Sequence, residues 1–458
     1  MKASRQNYFI QQSQLPASSE YVWELMTQSD FHSRLAPPWI NWKISEGITE
    51  VKEGQVASFE IRNGPLKGKW LTEIVSVRKG YLIGYRLTPP NGDSWSLWSR
   101  CLPGETANDC VLEDRFEYPK RNRMVASKKS LDTLLKNITY YKHRTLKNDL
   151  HFHRQQPPEK GSSRVILAGG SGLVGTHLTP YLRLLGYEVR NLTTNPETSG
   201  LQWDPKIGKI PVADLEDLHA IVNLSGFPIA CRWTQKNKAA ILNSRVQATK
   251  LLADTISELK SPPKHFIQIS ATGYYGFRSK ESIDESNHEG EGFLAEVCKQ
   301  WEEAAQLKEH ITTQLKILRL GVVLSPKGGA LKKMLPAFRL GLGGRLGGGK
   351  QPFPWISLDD VIRMIGFAIE TETPDRVFNA CSPVETNNMD FTKELSSVLK
   401  KPAIFPVPSL VLKTIFGTMA EEALLGGVNV FPEQTLETGF QFFDTSISEA
   451  LRYSMGKW

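Results

Sequence analysis

Cysteine is sparse and unpatterned in this chain. Cys101, Cys110, Cys231, Cys298 and Cys381 are the only five in 458 residues, and none forms a Cys-x-x-Cys pair. A scattered, odd set argues against a disulfide framework and against a thiolate zinc site. Long apolar runs are missing too. The most apolar stretch, 409–425, is broken by Lys413, Glu421 and Glu422, and nothing reaches the roughly 18 residues a membrane helix needs. Met1-Lys2-Ala3-Ser4-Arg5-Gln6-Asn7 leads into no apolar core, so no secretory leader is expected and the expected location is the cytoplasm. There is no internal repeat and no low-complexity tract. The charge excess is +8, from 56 Lys and Arg against 48 Asp and Glu, and the basic residues are dispersed. That pattern favours a solvated basic surface and speaks against a nucleic-acid partner. The densest cluster, Lys120-Arg121-Asn122-Arg123 with Lys128-Lys129, reads as a helix start and its polar face.

The length implies two or three domains. Strand-like runs fill the first part: 8–15, 40–46, 55–62, 69–77, 81–87, 95–102 and 110–118. Turn signals such as Asn63-Gly64-Pro65, Pro89-Pro90-Asn91-Gly92 and Pro103-Gly104 separate them. Ser18 or Ser19 can cap a short helix over 20–27. A long helix is predicted over 122–151, where Leu131, Leu134, Leu135, Ile138 and Tyr141 recur at helical spacing. This order predicts a curled antiparallel sheet wrapped on one long helix, an α+β domain over 1–152. Residues 153–163 are polar and rich in breakers, and read as a linker.

From Arg164 onward, strands and helices alternate. Strands are predicted over 164–168, 187–193, 220–224, 265–270 and 315–324, and helices over 176–185, 234–259 and 293–308. Alternation of this kind signals a doubly wound parallel α/β sheet, here over 164–402. Pro402, Pro406 and Pro408 mark the change to a mostly helical segment, 403–458.

The glycine run lies at the first of these strand-to-helix turns. Gly169, Gly170, Ser171, Gly172, Leu173, Val174 and Gly175 follow the strand directly and open the helix. This is the dinucleotide-binding fingerprint in its expected context. Gly169 allows the tight turn, Gly172 the approach of a pyrophosphate to the helix N-terminus, and Gly175 close helix–strand packing. The second strand ends Leu192-Thr193-Thr194-Asn195 without the carboxylate that usually holds an NAD ribose, and without an arginine. That leans toward NADP over NAD, with Thr194 beside the ribose. Leu224, Ser225 and Gly226 end a further strand, where backbone can pass close to the cofactor.

Reactive groups in open α/β sheets stand at strand C-terminal ends. Ile269-Ser270-Ala271-Thr272-Gly273-Tyr274-Tyr275-Gly276 ends the next strand. Ser270 and Thr272 can hydrogen-bond a substrate or cofactor oxygen. Tyr274 or Tyr275 can exchange a proton if its pKa is lowered. Packing roles for the same residues fit equally well. Cys298 reads more simply as a buried helix residue than as a nucleophile, and Asp359-Asp360 as a helix start more than a metal pair. The segment 341–350, rich in glycine and carrying Arg345 and Lys350, is predicted to be a mobile loop. It would either close over substrate phosphates or simply connect elements at the surface.

Two resemblances follow. The first part, with Leu15-Pro16-Ala17-Ser18 and Leu35-Ala36-Pro37-Pro38-Trp39, resembles the START-like helix-grip superfamily, closest to the polyketide-cyclase/dehydrase-like domains. Gly64-Pro65 with Trp70 and Tyr141-Lys142-His143-Arg144 fit that pattern loosely, and Trp95-Ser96-Leu97-Trp98-Ser99-Arg100 stands where the family often has an aromatic, His-rich stretch. The resemblance implies a cavity for a hydrophobic ligand, and a filled core is the alternative. The rest resembles the atypical or extended short-chain dehydrogenases/reductases. Arg232-Trp233-Thr234, Ser244-Arg245-Val246, Gly292 to Cys298 with Trp301-Glu302, Arg319 to Leu324, Gly341-Leu342-Gly343-Gly344 and Trp355 to Asp360 point to the nucleoside-diphosphate-sugar epimerase-like subgroup. Residues 403–451 resemble its small C-terminal domain. The resemblance implies an NAD(P)-binding oxidoreductase or epimerase with a small organic substrate.

One family feature is missing. Active members carry Tyr-x-x-x-Lys on a helix, where the lysine lowers the tyrosine pKa. Here that helix reads Phe293-Leu294-Ala295-Glu296-Val297-Cys298-Lys299. Tyr274, Thr272, Glu296 and Lys299 are candidate replacements. Tyr453-Ser454-Met455-Gly456-Lys457 has the spacing but reads as chance. The missing relay leaves room for a non-catalytic dinucleotide sensor or regulator, consistent with the cell-division label some relatives carry.

Overall fold

The computed structural model describes residues 6–48, 50–62, 64, 66–119, 127–152, 163–374 and 376–458. The linker 153–162, Lys120 to Arg123, Asn63, Pro65 and the first five residues lie outside the described set. The chain forms two compact units, 1–157 with 453–458, and 158–452.

The first unit begins with β1 (Gln6–Leu15), α1 (Ser19–Thr27) and the short α2 (Phe31–Arg34). Strands β2 (Trp42–Glu46), β3 (Val56–Ile61), β4 (Gly68–Arg78), β5 (Leu82–Thr88), β6 (Trp95–Pro103) and β7 (Cys110–Pro119) follow, then α3 (Lys128–Leu150). Ser18 caps α1, accepting from the Tyr21 amide at 3.2 Å. The sheet is antiparallel in the order β1-β7-β6-β5-β4-β3-β2. Leu131 and Leu135 of α3 are buried with Trp70, Trp95 and Phe116 of the sheet, as their helical spacing predicts. α2 was not predicted. It is held by a buried fork from Arg34 to Asp149 of α3, 2.8 Å on both arms. The last residues return to α3. Tyr453 stacks on Tyr141 at 4.7 Å, and Asn137 Nδ2 donates to the Gly456 carbonyl at 2.9 Å.

The second unit runs β8 (Arg164–Ala168), α4 (Leu173–Leu184), β9 (Glu188–Thr193), β10 (Leu201–Gln202), β11 (Ala220–Asn223), α5 (Gln235–Ile256) and β12 (His265–Ala271). Then come β13 (Arg278–Ile283), α6 (Phe293–Glu303), β14 (Gln314–Leu320), β15 (Val322–Leu324), α7 (Gly329–Arg339), β16 (Trp355–Ser357), α8 (Leu358–Glu370) and β17 (Val377–Ala380). After α9 (Asn388–Leu399) and α10 (Ser409–Phe416), β18 (Val428–Val430) precedes α11 (Glu433–Glu437) and α12 (Ile447–Met455). The main sheet is parallel in the order β10-β9-β8-β11-β12-β14-β17. Its winding reverses between β8 and β11, where such sheets place ligands. β13 pairs with β18, and β15 with β16.

The single strand predicted over 315–324 is two strands. The Gly321 amide still bonds Ala380 at 2.9 Å, but the Val322 amide bonds Pro354 at 2.7 Å. A Cβ at Gly321 would lie 2.9 Å from the Pro354 carbonyl oxygen. Only glycine lets the chain leave the main sheet there. The expected mobile loop at 341–350 is pinned instead. The Leu346 amide bonds Asn388 Oδ1 at 2.8 Å, Gly347 bonds Val407 at 2.9 Å, and a Cβ on Gly344 would fall 1.8 Å from the Phe405 carbonyl oxygen. Gly344 serves close backbone contact with Phe405, Gly341 and Gly347 make room for Pro402 and Ser409, and Arg345 lines an open depression with Met389, Lys393 and Ile404. Among the described residues no helix is long and apolar enough to cross a membrane.

Candidate dinucleotide site and the polar cluster beside it

The turn between β8 and α4 is built from backbone that tolerates no side chain. Gly169 has φ +82°, and a Cβ there would lie 2.8 Å from the Leu224 carbonyl. A Cβ on Gly175 would lie 2.5 Å from Gly170 Cα, so this glycine lets α4 fold back onto its own approach loop. Gly170 has a different reason. Its missing Cβ leaves room for Asn191 of β9, whose Oδ1 would be 2.0 Å away. That oxygen is buried without a hydrogen-bond partner. Gly172 is the N-cap of α4, and no side chain caps the helix. The amides of the first turn, from Leu173 to Gly175, have no intrahelical acceptor, and the helix dipole adds positive potential there. Ser171 stands exposed at the tip, and Thr194 is exposed at the end of β9. The glycine positions and the uncapped helix fit a dinucleotide pyrophosphate.

Across the reversal, the Leu224 amide bonds the Ala168 carbonyl at 2.8 Å. Ser225 bonds Asn223 Oδ1 through both its amide and its hydroxyl. Asn223 in turn donates to Thr249 at 2.8 Å and to Gln268 at 2.9 Å, and Trp301 donates to the same Thr249 at 2.9 Å. This buried network fixes the loop from behind. At Gly226 the space is taken by the Arg245 guanidinium, 3.0 Å from where a Cβ would sit.

The residues after β12 sort into two groups. Ser270 is 2% exposed and donates to Glu302 Oε1 at 2.6 Å. Glu302 receives a fork from Arg319 of β14, 2.9 Å and 2.7 Å, and Arg319 also donates to the Tyr275 hydroxyl at 2.9 Å. The Tyr275 hydroxyl donates to Asn379 Oδ1 at 2.8 Å. Burial alone would lower the Arg319 pKa, but Glu302 overrides that and raises it. Tyr275 is pushed up, chiefly by burial. Ser270 and Tyr275 are therefore committed to a buried structural network.

Tyr274 is different. Its turn, 272–275, packs backbone to backbone against 289–292, because Gly276 (φ +66°) and Gly290 leave no side chain between them. The Gly290 amide bonds the Tyr274 carbonyl at 2.9 Å. This brings Glu289 to the Tyr274 hydroxyl, 3.3 Å away, and Glu289 also accepts from Lys299 of α6 at 2.8 Å. The Arg319 guanidinium lies 3.5 Å from the centre of the Tyr274 ring. The hydrogen bond from Lys299 holds the Glu289 carboxyl down to about 2. The Tyr274 hydroxyl is raised, first by burial, with Arg319 opposing. The condition of a lowered pKa is therefore met by neither Tyr274 nor Tyr275. At neutral pH the Tyr274 hydroxyl keeps its proton. Thr272 is buried in the same turn. Glu296 lies on α6 and bonds Gln300.

Burial pushes the Cys298 thiol up to about 12, so it is no nucleophile at neutral pH. Asp360 accepts from Arg363 at 2.7 Å and from the amides of Phe443 and Asp444, and its own amide is capped by Ser357. It is a structural acceptor, and no metal-binding cluster occurs among the described residues. Sequence reading missed Asn191 and Glu289, and gave Glu302 and Arg319 no role. A charge on β14 facing inward was the one available signal for the Glu302–Arg319 pair.

The model of the NAD dependent epimerase/dehydratase family matches residues 165–381, and a domain of unknown function, DUF1731, matches 407–453. An epimerase family protein of Mycobacterium bovis, Mb2239, is 36% identical over 293 residues, 63% of this chain and 97% of its own length. The chain belongs to the NAD-dependent epimerase/dehydratase family. The human family member SDR39U1 is 34% identical over 98% of its length. A crystal structure of that human protein with NADPH matches at TM-score 0.60 and 33% identity, covering 64% of this chain and all of the other. A nucleoside-diphosphate sugar epimerase from Corynebacterium glutamicum shares the fold over 98% of this chain, at TM-score 0.77 and 24% identity.

Proposed function

We propose that the second unit is an NADP(H)-dependent oxidoreductase or epimerase acting on a small organic substrate. The observation that carries this reading is the cradle at 169–175, where a Cβ on Gly169 or Gly175 would strike backbone and the first turn of α4 is uncapped. The amides of 173–175 would hold the pyrophosphate, with Gly169, Gly170, Ser171 and Gly172 shaping its approach. Leu224, Ser225 and Gly226 would line the far side, and Thr194 the adenosine ribose. The absence of a carboxylate at 192–195, and the NADPH in the human relative's crystal structure, favour NADP. A nicotinamide held there would supply or accept the hydride. Tyr274 would hold the exchanging proton at its hydroxyl, with Glu289 orienting it and Lys299 balancing the carboxylate. Thr272 would orient the substrate oxygen. Ser270 would act through Glu302 and the β12 backbone.

A second reading, a dinucleotide-binding sensor without turnover, is favoured by one observation: α6 carries no tyrosine four residues before Lys299. Thermal unfolding with NADPH and NADH tests the shared premise. NADPH is expected to stabilise the chain more than NADH, and a flat response to both refutes it. NADPH oxidation across a carbonyl and sugar-nucleotide panel then separates the readings. Turnover lost in Tyr274→Phe supports the enzyme, and binding without turnover supports the sensor. For residues 1–152, within the first unit, we read a helix-grip domain of the START-like type, from the antiparallel sheet and single long helix there.

A further inference from the structure

Four arginines are buried among the described residues: Arg34, Arg245, Arg319 and Arg363. Three of them hold a carboxylate. Arg34 forks onto Asp149, Arg319 onto Glu302, and Arg363 meets Asp360 at 2.7 Å. Arg245 of α5 is 6% exposed and bonds only to carbonyls. Burial pushes its guanidinium down, and no carboxylate lifts it as Glu302 lifts Arg319. A buried charge without its counterion is strongly disfavoured, and an arginine cannot escape by losing its proton. A ligand that brings the missing anion would relieve that cost.

The unpaired part of the guanidinium is one edge. Nη1 donates to the carbonyls of Phe227 and Ile241, both at 3.0 Å. Nε is buried without a partner, and Nη2 makes no hydrogen bond but is not shut in. Nε and Nη2 form the edge that takes a planar carboxylate in two parallel bonds. The same edge does so twice in this protein. Nε and Nη2 of Arg34 hold Asp149, and Nε and Nη2 of Arg319 hold Glu302. At Arg245 that edge is clear of Gly226. A Cβ there would lie 3.0 Å from Cζ, 3.1 Å from Nη2 and 3.3 Å from Nε, with Cζ nearest. Gly226 therefore stands over the plane of the guanidinium, and any side chain at 226 would displace it.

The position is that of a ligand contact. Gly226 follows β11, one strand from the winding reversal. Cys298 of α6 is in electrostatic contact with Arg245, and its Sγ would be 3.9 Å from a Cβ on Gly273. Arg245 is thus beside the loop after β11 and one thiol away from the turn that carries Thr272 and Tyr274. Resting on the oxidoreductase or epimerase reading of this unit, we propose that its substrate is a small organic acid whose carboxylate binds the Nε–Nη2 edge of Arg245.

The test is thermal unfolding of the full chain, with and without saturating NADPH, titrated with acetate or with its neutral analogue acetamide at constant ionic strength. Acetate is expected to raise the midpoint saturably, and acetamide to act at least about tenfold more weakly. Arg245→Met removes the charge and leaves no acid unpaired, so the variant is expected to fold. It should weaken acetate at least about tenfold and leave the NADPH shift unchanged. Absence of a saturable acetate response, equal responses to the two probes, or an undiminished acetate response in Arg245→Met would each overturn the proposal. So would loss of the NADPH shift in Arg245→Met, which would give the guanidinium to a dinucleotide phosphate. A native protein that answers acetate through Arg245 but shows no NADPH shift would refute the dinucleotide reading and leave the acid site standing. Should Arg245→Met not fold, Arg245→Lys, which keeps the charge and loses the two-bonded edge, decides by the same criteria.

Discussion

Replacing Gly169 with alanine tests the dinucleotide cradle at its tightest point. Two penalties add. The residue sits at φ +82°, a left-handed conformation that costs a residue with a Cβ about 1–2 kcal/mol. The new Cβ would also lie 2.8 Å from the Leu224 carbonyl carbon and oxygen. Those are backbone atoms held by the Ala168–Leu224 hydrogen bond, so relief requires moving β8 and β11 apart, at about 1–3 kcal/mol by analogy with overpacking. The summed loss of stability is about 2–5 kcal/mol. If the loop holds pyrophosphate, the same displacement moves the first-turn amides of α4. A tenfold loss of NADPH affinity would reduce the stabilisation at a hundred times the native Kd from about 2.7 to about 1.4 kcal/mol. Gly348→Ala is the control, because its Cβ would meet nothing within 4 Å and its φ is not positive. Denaturant titrations with and without NADPH measure both effects. A Gly169→Ala protein that keeps its full NADPH stabilisation would refute the assignment of the loop.

Other consequences are equally direct. Glu302→Gln strips the fork from a buried Arg319 and should cost about 3–5 kcal/mol in urea unfolding; a change below 1 kcal/mol would deny the network its structural role. Tyr274→Phe should remove turnover while changing stability by less than about 1 kcal/mol, since it gives up one long 3.3 Å bond. Because the Tyr274 hydroxyl is raised, activity that needs it protonated should stay flat from neutral to mildly alkaline pH. A rate that climbs through that range would make it a base. His32 is held neutral with a pKa of about 4 in the folded state, below its unfolded value of about 6.5. Its contribution is therefore complete above about 6.5 and is lost as pH falls toward 4. The urea midpoint of the first unit, followed by tryptophan fluorescence, should decline over that window, and less steeply in His32→Gln.

Much of the fold was legible because it depends on local periodicity. The strand 164–168 is observed at its predicted limits, the seven strands of the first unit lie within two residues of theirs, and the long helix predicted over 122–151 is observed over Lys128–Leu150, with 122–126 outside the described residues. Turn chemistry carried that information, as at Ser18, whose side chain caps α1. The break at Gly321 was not legible. It depends on Pro354, a residue 33 positions away that enters only through tertiary contact. The short α2 was missed for a similar reason, since its anchor is Asp149 at the far end of α3.

The site divides along the same line. The order Gly169 to Gly175 between a buried strand and a helix sets the turn, the helix start and hence a dinucleotide cradle, because those are properties of adjacent backbone. Which neighbouring polar group is free to act was decided by folding. Ser270, Thr272, Tyr274 and Tyr275 are close to equivalent in the sequence. Three-dimensional packing gives Ser270 and Tyr275 to the buried Glu302–Arg319 pair and gives Tyr274 to Glu289 and Lys299. Those partners lie 15 to 44 residues away from the tyrosine or serine they meet only by way of the sheet, α6 and a glycine-to-glycine backbone contact. Sequence spacing fixes what adjacent residues can do, and only long-range contact determines each hydroxyl's partner, charge environment and proton.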